Sequence, residues 1–208
     1  MSAPRGFLIV FEGPDGAGKT TQVKRLAERL DAVATREPGD TPLGAELRRL
    51  LLSDDEATRP GLRAEALMMA ADRAQHVEAV VAPAMAAGRH VVCDRYVGSS
   101  VAYQGYGRGL DPMEVLELSA FAISGQEADL TILLDVPVET TLERLGGSRD
   151  RIESAGAEFH RRVRTGFLAQ ADADPQGWVV VDGGRPVDEV AASVAAAVDA
   201  RLGVTDGD

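Results

Sequence analysis

The segment Gly13-Pro14-Asp15-Gly16-Ala17-Gly18-Lys19-Thr20 carries glycine, glycine, lysine and threonine in the order G-x-x-x-x-G-K-[ST]. Glycines keep side-chain bulk away, so backbone amides can converge on phosphate oxygens. Lys19 can reach the terminal phosphates of a bound polyphosphate, and the Thr20 hydroxyl can give an oxygen to Mg²⁺. The motif extends the phosphate-binding set over Gly13, Pro14, Asp15, Gly16, Ala17, Gly18, Lys19, Thr20 and Thr21. Asp15 is the anomaly, an acid inside a loop built for anions. Taken alone it reads as a turn residue facing solvent.

A metal at this loop needs a second anchor. Asp94 ends the apolar run Val91-Val92-Cys93. In doubly wound folds ligands gather outside the carboxyl ends of strands, so Asp94 is the candidate. No guanine-reading N-K-x-D segment is present, which argues against a GTP switch. A motor or helicase would need a larger machine or a nucleic-acid surface. A small enzyme that phosphorylates a small molecule needs an acceptor pocket and a cover that excludes water.

The elements that must position these residues follow from the apolar pattern. Phe7-Leu8-Ile9-Val10-Phe11 is continuously apolar and runs straight into the loop, as a strand covered on both faces does. Val23, Leu26, Ala27 and Leu30 then recur at helical spacing. The alternation continues. Strands are predicted at 33–35, 91–94, 130–136 and 178–182. Helices are predicted at 43–52, 63–87, 112–124, from near Pro137, at 155–171, and over the spacing Val187, Val190, Val194, Val198, Leu202. Pro83 should bend or tighten the longest of these, and Pro112 suits a first helical turn. Alternating strands and helices predict an α/β fold of the P-loop NTPase type: a five-stranded parallel sheet with helices on both faces. We expect a single domain over 1–208, with a loose tail at 203–208.

Composition narrows the partners. The chain has 208 residues, 45% of them apolar, which suits one domain with a sizeable core. The 22 basic and 33 acidic residues leave a net charge of -11. Such a surface repels nucleic-acid polymers, whereas a local donor-rich pocket still accommodates a small phosphorylated ligand. Cys93 is the one cysteine, so no internal disulfide forms, which fits a reducing compartment. With no signal-peptide pattern and no bilayer-length apolar run, the expectation is a cytoplasmic protein without membrane contact. His76, His90 and His160 are scattered along the chain and read as structural or surface residues.

Four segments, in order, carry a family resemblance: "EGPDGAGKTT" from Glu12, "TREPGDTPLG" from Thr35, "MMAADRAQH" from Met68 and "DRYVGSSVAYQGYGRG" from Asp94. Together they resemble bacterial thymidylate kinases, and the likeness extends over about 7–202. The resemblance implies transfer of the γ-phosphoryl of ATP, with Mg²⁺, to dTMP in dTTP synthesis. It implies that Asp15 meets the 3'-hydroxyl of the acceptor deoxyribose. It places Glu37 and Arg48 near the acceptor phosphate, and Arg95 as the group holding that phosphate in line with ATP. Thr20 and Asp94 serve the metal. Met69 and Arg73, four apart on one helix face, lie against the base, with Arg73 donating to a carbonyl. Ser100 and Gln104 orient the pyrimidine edge, and Tyr103 lies beside the deoxyribose. Phenylalanine usually stands where this chain has Met69, which keeps dUMP or a modified pyrimidine nucleotide open as acceptor. Taken alone, Met69 also reads as helix core.

Arg144, Arg149 and Arg151 surround Gly146-Gly147-Ser148. A basic segment flanked by glycines suits a mobile cover, and we expect a short arginine-bearing lid at 144–153. The resemblance makes Arg151 first and Arg149 second as donors to the transition state, beside Lys19 and Arg95 as catalytic residues. It also implies a homodimer, with 63–87 and 112–124 as contact elements. A nucleotide-binding regulatory module without turnover is the contrasting class. The converging arginines argue against it.

Overall fold

The computed structural model describes residues 5–145, 152 and 155–204. Five strands lie in one sheet among the described residues: β1 (Leu8–Glu12), β2 (Val33–Arg36), β3 (Val91–Asp94), β4 (Leu130–Asp135) and β5 (Trp178–Asp182). Their order is β2-β3-β1-β4-β5, and every neighbouring pair is parallel. The phosphate loop therefore leaves the central strand, where the order reverses direction, beside the end of β3.

The period of two along β1 explains its unbroken apolar run. Ile9 and Phe11 face a core layer shared with α1 (Lys19–Arg29) and α9 (Val187–Leu202), while Leu8 and Val10 face the opposite layer. All five β1 residues are buried. Each fully buried Leu, Ile or Phe contributes about 1.5–3 kcal/mol, so this strand is anchored on both sides.

Local chemistry sets the helix ends. Thr41 caps α2 (Pro42–Leu52) by accepting from the Gly44 amide, with Pro42 in the first turn. Asp111 caps α6 (Pro112–Ile123) through the Met113 amide, with Pro112 placed as predicted. The predicted helix at 63–87 is one helical run in three parts: α3 (Leu62–His76), a widened π turn at Val77–Val81, and α4 (Ala82–Ala86). Pro83 lacks an amide hydrogen and crowds the carbonyl four residues earlier, which lies inside the π turn. A second widened stretch, Val101–Gly107, continues α5 (Val97–Ser100) after β3.

The remaining helices are α7 (Val138–Leu145) and α8 (Ala157–Ala173). The expected tail at 203–208 opens on two positions that belong to the fold. Gly203 ends α9 at φ 66°, and Val204 packs into the α1–α9 core layer. Positions 205–208 lie outside the described residues. Among the described residues, no helix is long and apolar enough to cross a membrane.

Candidate active site

Gly13 and Gly18 show why the loop needs its glycines. A Cβ on Gly13, at φ 136°, would sit 2.5 Å from the Leu134 carbonyl oxygen. Gly18 starts α1 at φ 91°, a left-handed conformation that side-chain-bearing residues rarely adopt. Ala17 can offer a phosphate only its backbone. Its side chain is buried in the core under the loop, and it serves the loop's packing.

Lys19 is buried, and its ammonium donates to the carbonyls of Gly13 at 3.0 Å and Pro14 at 2.9 Å. Burial and the neighbouring Arg95 charge push its pKa down to about 8, against the pull of Asp94, Asp15 and Glu12. Thr20 Oγ1 donates to Asp94 Oδ2 at 2.7 Å, so the two expected metal anchors meet at the loop. Two oxygen donors at a phosphate loop suit Mg²⁺, which binds through one or two protein oxygens plus waters and phosphates. Among the described residues there is no cluster of three His, Cys, Asp or Glu that could hold a metal by itself.

Two clefts meet over this loop. One is lined by Gly16, Gly18, Lys19, Thr20, Thr21, Asp94 and Arg144. The other is lined by Met69, Arg73, Ser100, Tyr103 and Gln104. Asp15, Glu37, Arg48 and Arg95 line both clefts. All nine residues expected to hold the acceptor therefore surround the second cleft, drawn from the loop, the turn after β2, α2, α3, and the turn and helical run after β3.

Arg95 stands at the junction. Its backbone is left-handed at φ 75°, a costly state for a residue with a side chain. The guanidinium donates to Gly13 O at 3.1 Å, Ser99 Oγ at 2.9 Å, Asp15 Oδ1 at 2.5 Å and Tyr103 Oη at 3.1 Å. Tyr103 in turn donates to Asp15 Oδ2 at 2.7 Å. Asp15 is thus no free turn residue. Burial opposes its ionisation, but Arg95 and Lys19, with the Tyr103 hydroxyl, outweigh this and hold the carboxyl well below its usual range.

Glu37 and Arg73 are both buried and paired, Nε to Oε2 at 2.8 Å. Arg73 also donates to Ser119 Oγ, Tyr96 O and Ser100 Oγ. A guanidinium has five N–H donors, and these contacts use four, leaving one on Nη1. The other Glu37 oxygen meets His76 Nδ1 at 2.8 Å, and His76 Nε2 meets Thr35 Oγ1 at 2.7 Å. His76 is therefore structural, as expected, but within the site's own scaffold. Arg48 donates to Pro38 O at 2.8 Å. Half-buried Met69 lines the cleft and packs on an aromatic cluster that includes Tyr103, Phe159 and Phe167.

Several functional positions escaped sequence reasoning. Glu12, fully buried, accepts from the amides of Tyr96 and Ser99 and from Ser99 Oγ, fixing the turn that carries Arg95. Burial raises its pKa, against these donors and Arg95. The signal was an acid directly after an apolar strand, where solvent exposure is not expected. Asp72 lines the acceptor cleft and accepts from the Gly39 amide at 3.0 Å. Arg108 pairs with buried Glu65 and lies over the Phe159 ring. Arg144 links the Asp182-Gly183-Gly184 turn to the loop, donating to Gly183 O at 3.1 Å and to Gly16 O at 3.4 Å. Arg149 and Arg151 lie outside the described residues.

Comparisons with known proteins agree with this geometry. The thymidylate kinase family model matches residues 11–194. A thymidylate kinase of Leifsonia xyli subsp. xyli is 50% identical over 97% of this chain and all of its own. One of Geotalea uraniireducens is 44% identical over 95% of this chain and 98% of its own. The crystal structure of thymidylate kinase from Ehrlichia chaffeensis superposes with a TM-score of 0.77 at 32% identity, over 94% of this chain and 99% of that one. With a phosphate loop, a facing second cleft and this breadth of similarity, the chain belongs to the thymidylate kinase family.

Proposed function

We propose that this protein transfers the γ-phosphoryl group of ATP to dTMP, forming dTDP for dTTP synthesis. The carrying observation is the pair of clefts that share Asp15, Glu37, Arg48 and Arg95. Two nucleotides bound there face each other across a guanidinium, the arrangement that in-line transfer requires.

The loop amides and Lys19 hold the donor phosphates. Lys19 exchanges its two loop carbonyls for phosphate oxygens, and the anion stabilises the ammonium in a site whose burial disfavours it. Thr20 and Asp94 hold Mg²⁺, which when bound neutralises charge on the donor phosphates. Arg95 bridges donor and acceptor phosphates. Its anchors on Gly13, Ser99 and Asp15 restrict its motion, so little reorganisation accompanies the reaction. The acceptor oxygen belongs to a phosphate already deprotonated near neutral pH, so no base relay is needed. Glu37 and Arg48 flank the acceptor phosphate, and Tyr103 and Asp15 meet the deoxyribose. Met69, Arg73, Ser100 and Gln104 meet the base.

The segment 144–153 is the lid. Its described positions support this reading: Arg144 lines the donor cleft and Ile152 the acceptor cleft. Arg151, and second Arg149, supply charge to the transferring oxygens. Arg151→Ala should lower kcat by about 10²–10³-fold, as loss of a transition-state donor does, with little change in dTMP affinity. Single-turnover kinetics beside dTMP titration checks it, and parental turnover would remove Arg151 from the mechanism.

The protein acts as one domain and as a homodimer. Leu67 on α3 and Met113, Leu116 and Phe121 on α6 expose 57%, 60%, 41% and 86% of their surface in the single chain. These helices pack together, so their apolar side chains offer an area for a second copy.

The deciding assay offers ATP and Mg²⁺ with each nucleoside monophosphate and measures the diphosphate formed. Preferential dTDP supports the proposal. Preference for dUMP or a modified pyrimidine nucleotide moves the assignment to that acceptor. Nucleotide binding without transfer refutes a kinase.

A further inference from the structure

Gln104 lines the acceptor cleft, and its amide has two chemically opposite ends. Which end faces a bound base decides which base is accepted. Gln104 is almost fully buried, at 1% exposure, and so is Glu65, also at 1%. Gln104 Nε2 donates to Glu65 Oε1 at 2.9 Å. An ionised carboxylate only accepts, so the end of the amide that meets Glu65 must be the NH₂. Arg108 supplies the countercharge, with Nε 3.2 Å from the same oxygen and its guanidinium over the Phe159 ring at 4.8 Å. Among the described residues, Gln104 Oε1 has no hydrogen-bond partner, nor is it sealed away from the cleft. Glu65, Met69 and Arg73 recur every four residues on α3, so one helix face carries the clamp, a ring-packing group and the guanidinium.

We infer that Glu65, held by Arg108, is a positioning residue that fixes the Gln104 carbonyl toward the acceptor cleft and so selects pyrimidine rings that carry N3–H. The inference rests on the proposed reading of this cleft as the pyrimidine site. A carbonyl accepts from the N3–H of thymine or uracil, and the remaining Arg73 donor matches their C4 carbonyl. Cytosine presents a lone pair at N3 and an amino group at C4, so both contacts become repulsive. Rotating the amide to suit cytosine would turn its carbonyl onto the Glu65 carboxylate. The carboxylate thus enforces, from outside the pocket, a choice the amide alone cannot make.

The test compares dTMP with 5-methyl-dCMP, which differ only along this edge. kcat/KM for each is measured in the parent, Glu65→Gln and Gln104→Leu proteins, with circular dichroism to verify folding. Glu65→Gln offers both a donor and an acceptor, so either orientation of Gln104 finds a partner. The dTMP preference should then fall at least about tenfold, through a lower KM for 5-methyl-dCMP. A folded Glu65→Gln protein with the parental preference overturns the inference. If Gln104→Leu alone loses preference, the cleft reading stands and the role of Glu65 fails; if neither variant changes it, the reading of Gln104 fails as well. Should Glu65→Gln not fold, Glu65→Asp decides: its shorter side chain draws the carboxylate back from Gln104 Nε2, so the dTMP preference over 5-methyl-dCMP should fall at least about tenfold. A folded Glu65→Asp protein with the parental preference overturns the inference.

Discussion

Lys19 and Asp15 illustrate how this loop balances charge residue by residue. Buried Lys19 and half-buried Asp15 lie beside each other and beside Arg95, and the cluster is stable because the charges alternate. Lys19 still lies in a site that disfavours its ammonium, with a pKa near 8 in the folded chain against 10.5 ordinarily. The folded state therefore binds fewer protons than the unfolded state between those values, and stability from this group rises with pH across that window. Lys19→Met should leave Tm at pH 7 undiminished while lowering kcat/KM by about 10²–10³-fold. Thermal melts and steady-state kinetics on one preparation check both halves. Asp15 makes charge-assisted contacts to Arg95 and Tyr103, each worth about 1.5–3 kcal/mol. Asp15→Ala should raise KM for dTMP by about 10–100-fold, with a smaller effect on KM for ATP. Equal effects on both substrates would place Asp15 with the donor instead.

At the scale of elements, α3 carries two tasks that conflict. Its buried face holds Asp72 and Arg73 against Glu37, and its exposed face is apolar. Burial, and then the Glu37 charge, push Asp72 up to about 6, against the Gly39 amide, His76 and Arg73. The folded pKa lies above the unfolded one, so the folded state holds its proton between about pH 4 and 6. Stability from this carboxyl is present at the acid end and is lost as pH rises through 6. Asp72→Asn keeps an acceptor for the Gly39 amide and removes the buried charge. It should raise Tm at pH 7.5 by about 2–4 °C, the shift ~1 kcal/mol gives in a domain of this size. The gain should vanish at pH 4. Melts across that range check it, and a gain that persists at pH 4 would assign the effect to packing.

For the whole molecule, α3 and α6 share an exposed apolar face, the one the proposed homodimer would cover. Phe121 is 86% exposed in the single chain, an unusual position for an aromatic side chain without a partner. If the chain dimerises through this face as proposed, Phe121→Glu should leave it monomeric on light scattering, with the far-ultraviolet spectrum unchanged. A parent protein that is monomeric at micromolar concentration would remove this face from the account. On the opposite side, Arg25–Asp188 and Arg29–Asp199 tie α1 to α9 at 2.6 and 2.7 Å. These partly exposed pairs contribute about 0–1 kcal/mol each, so the buried valines of α9 hold that layer instead.

The parallel sheet was legible in the chain because a strand buried on both faces must be apolar without interruption, as Leu8–Glu12 and Val91–Asp94 are up to their final acids. The loop was legible because phosphate binding demands glycines at fixed spacing. Pairing was not legible. Nothing in the local pattern of Glu12, Glu65 or His76 says which residue, tens of positions away, will satisfy a buried charge. Sequence separations of 87 for Glu12–Ser99 and 39 for Glu65–Gln104 are closed only when the sheet assembles. Periodicity reports which face of an element is buried, a local property, whereas a hydrogen-bond partner is decided by how elements are laid beside one another. The chain alone thus determined the layers and the phosphate cradle, and only the tertiary fold decided how Asp15, Arg95 and Gln104 are held.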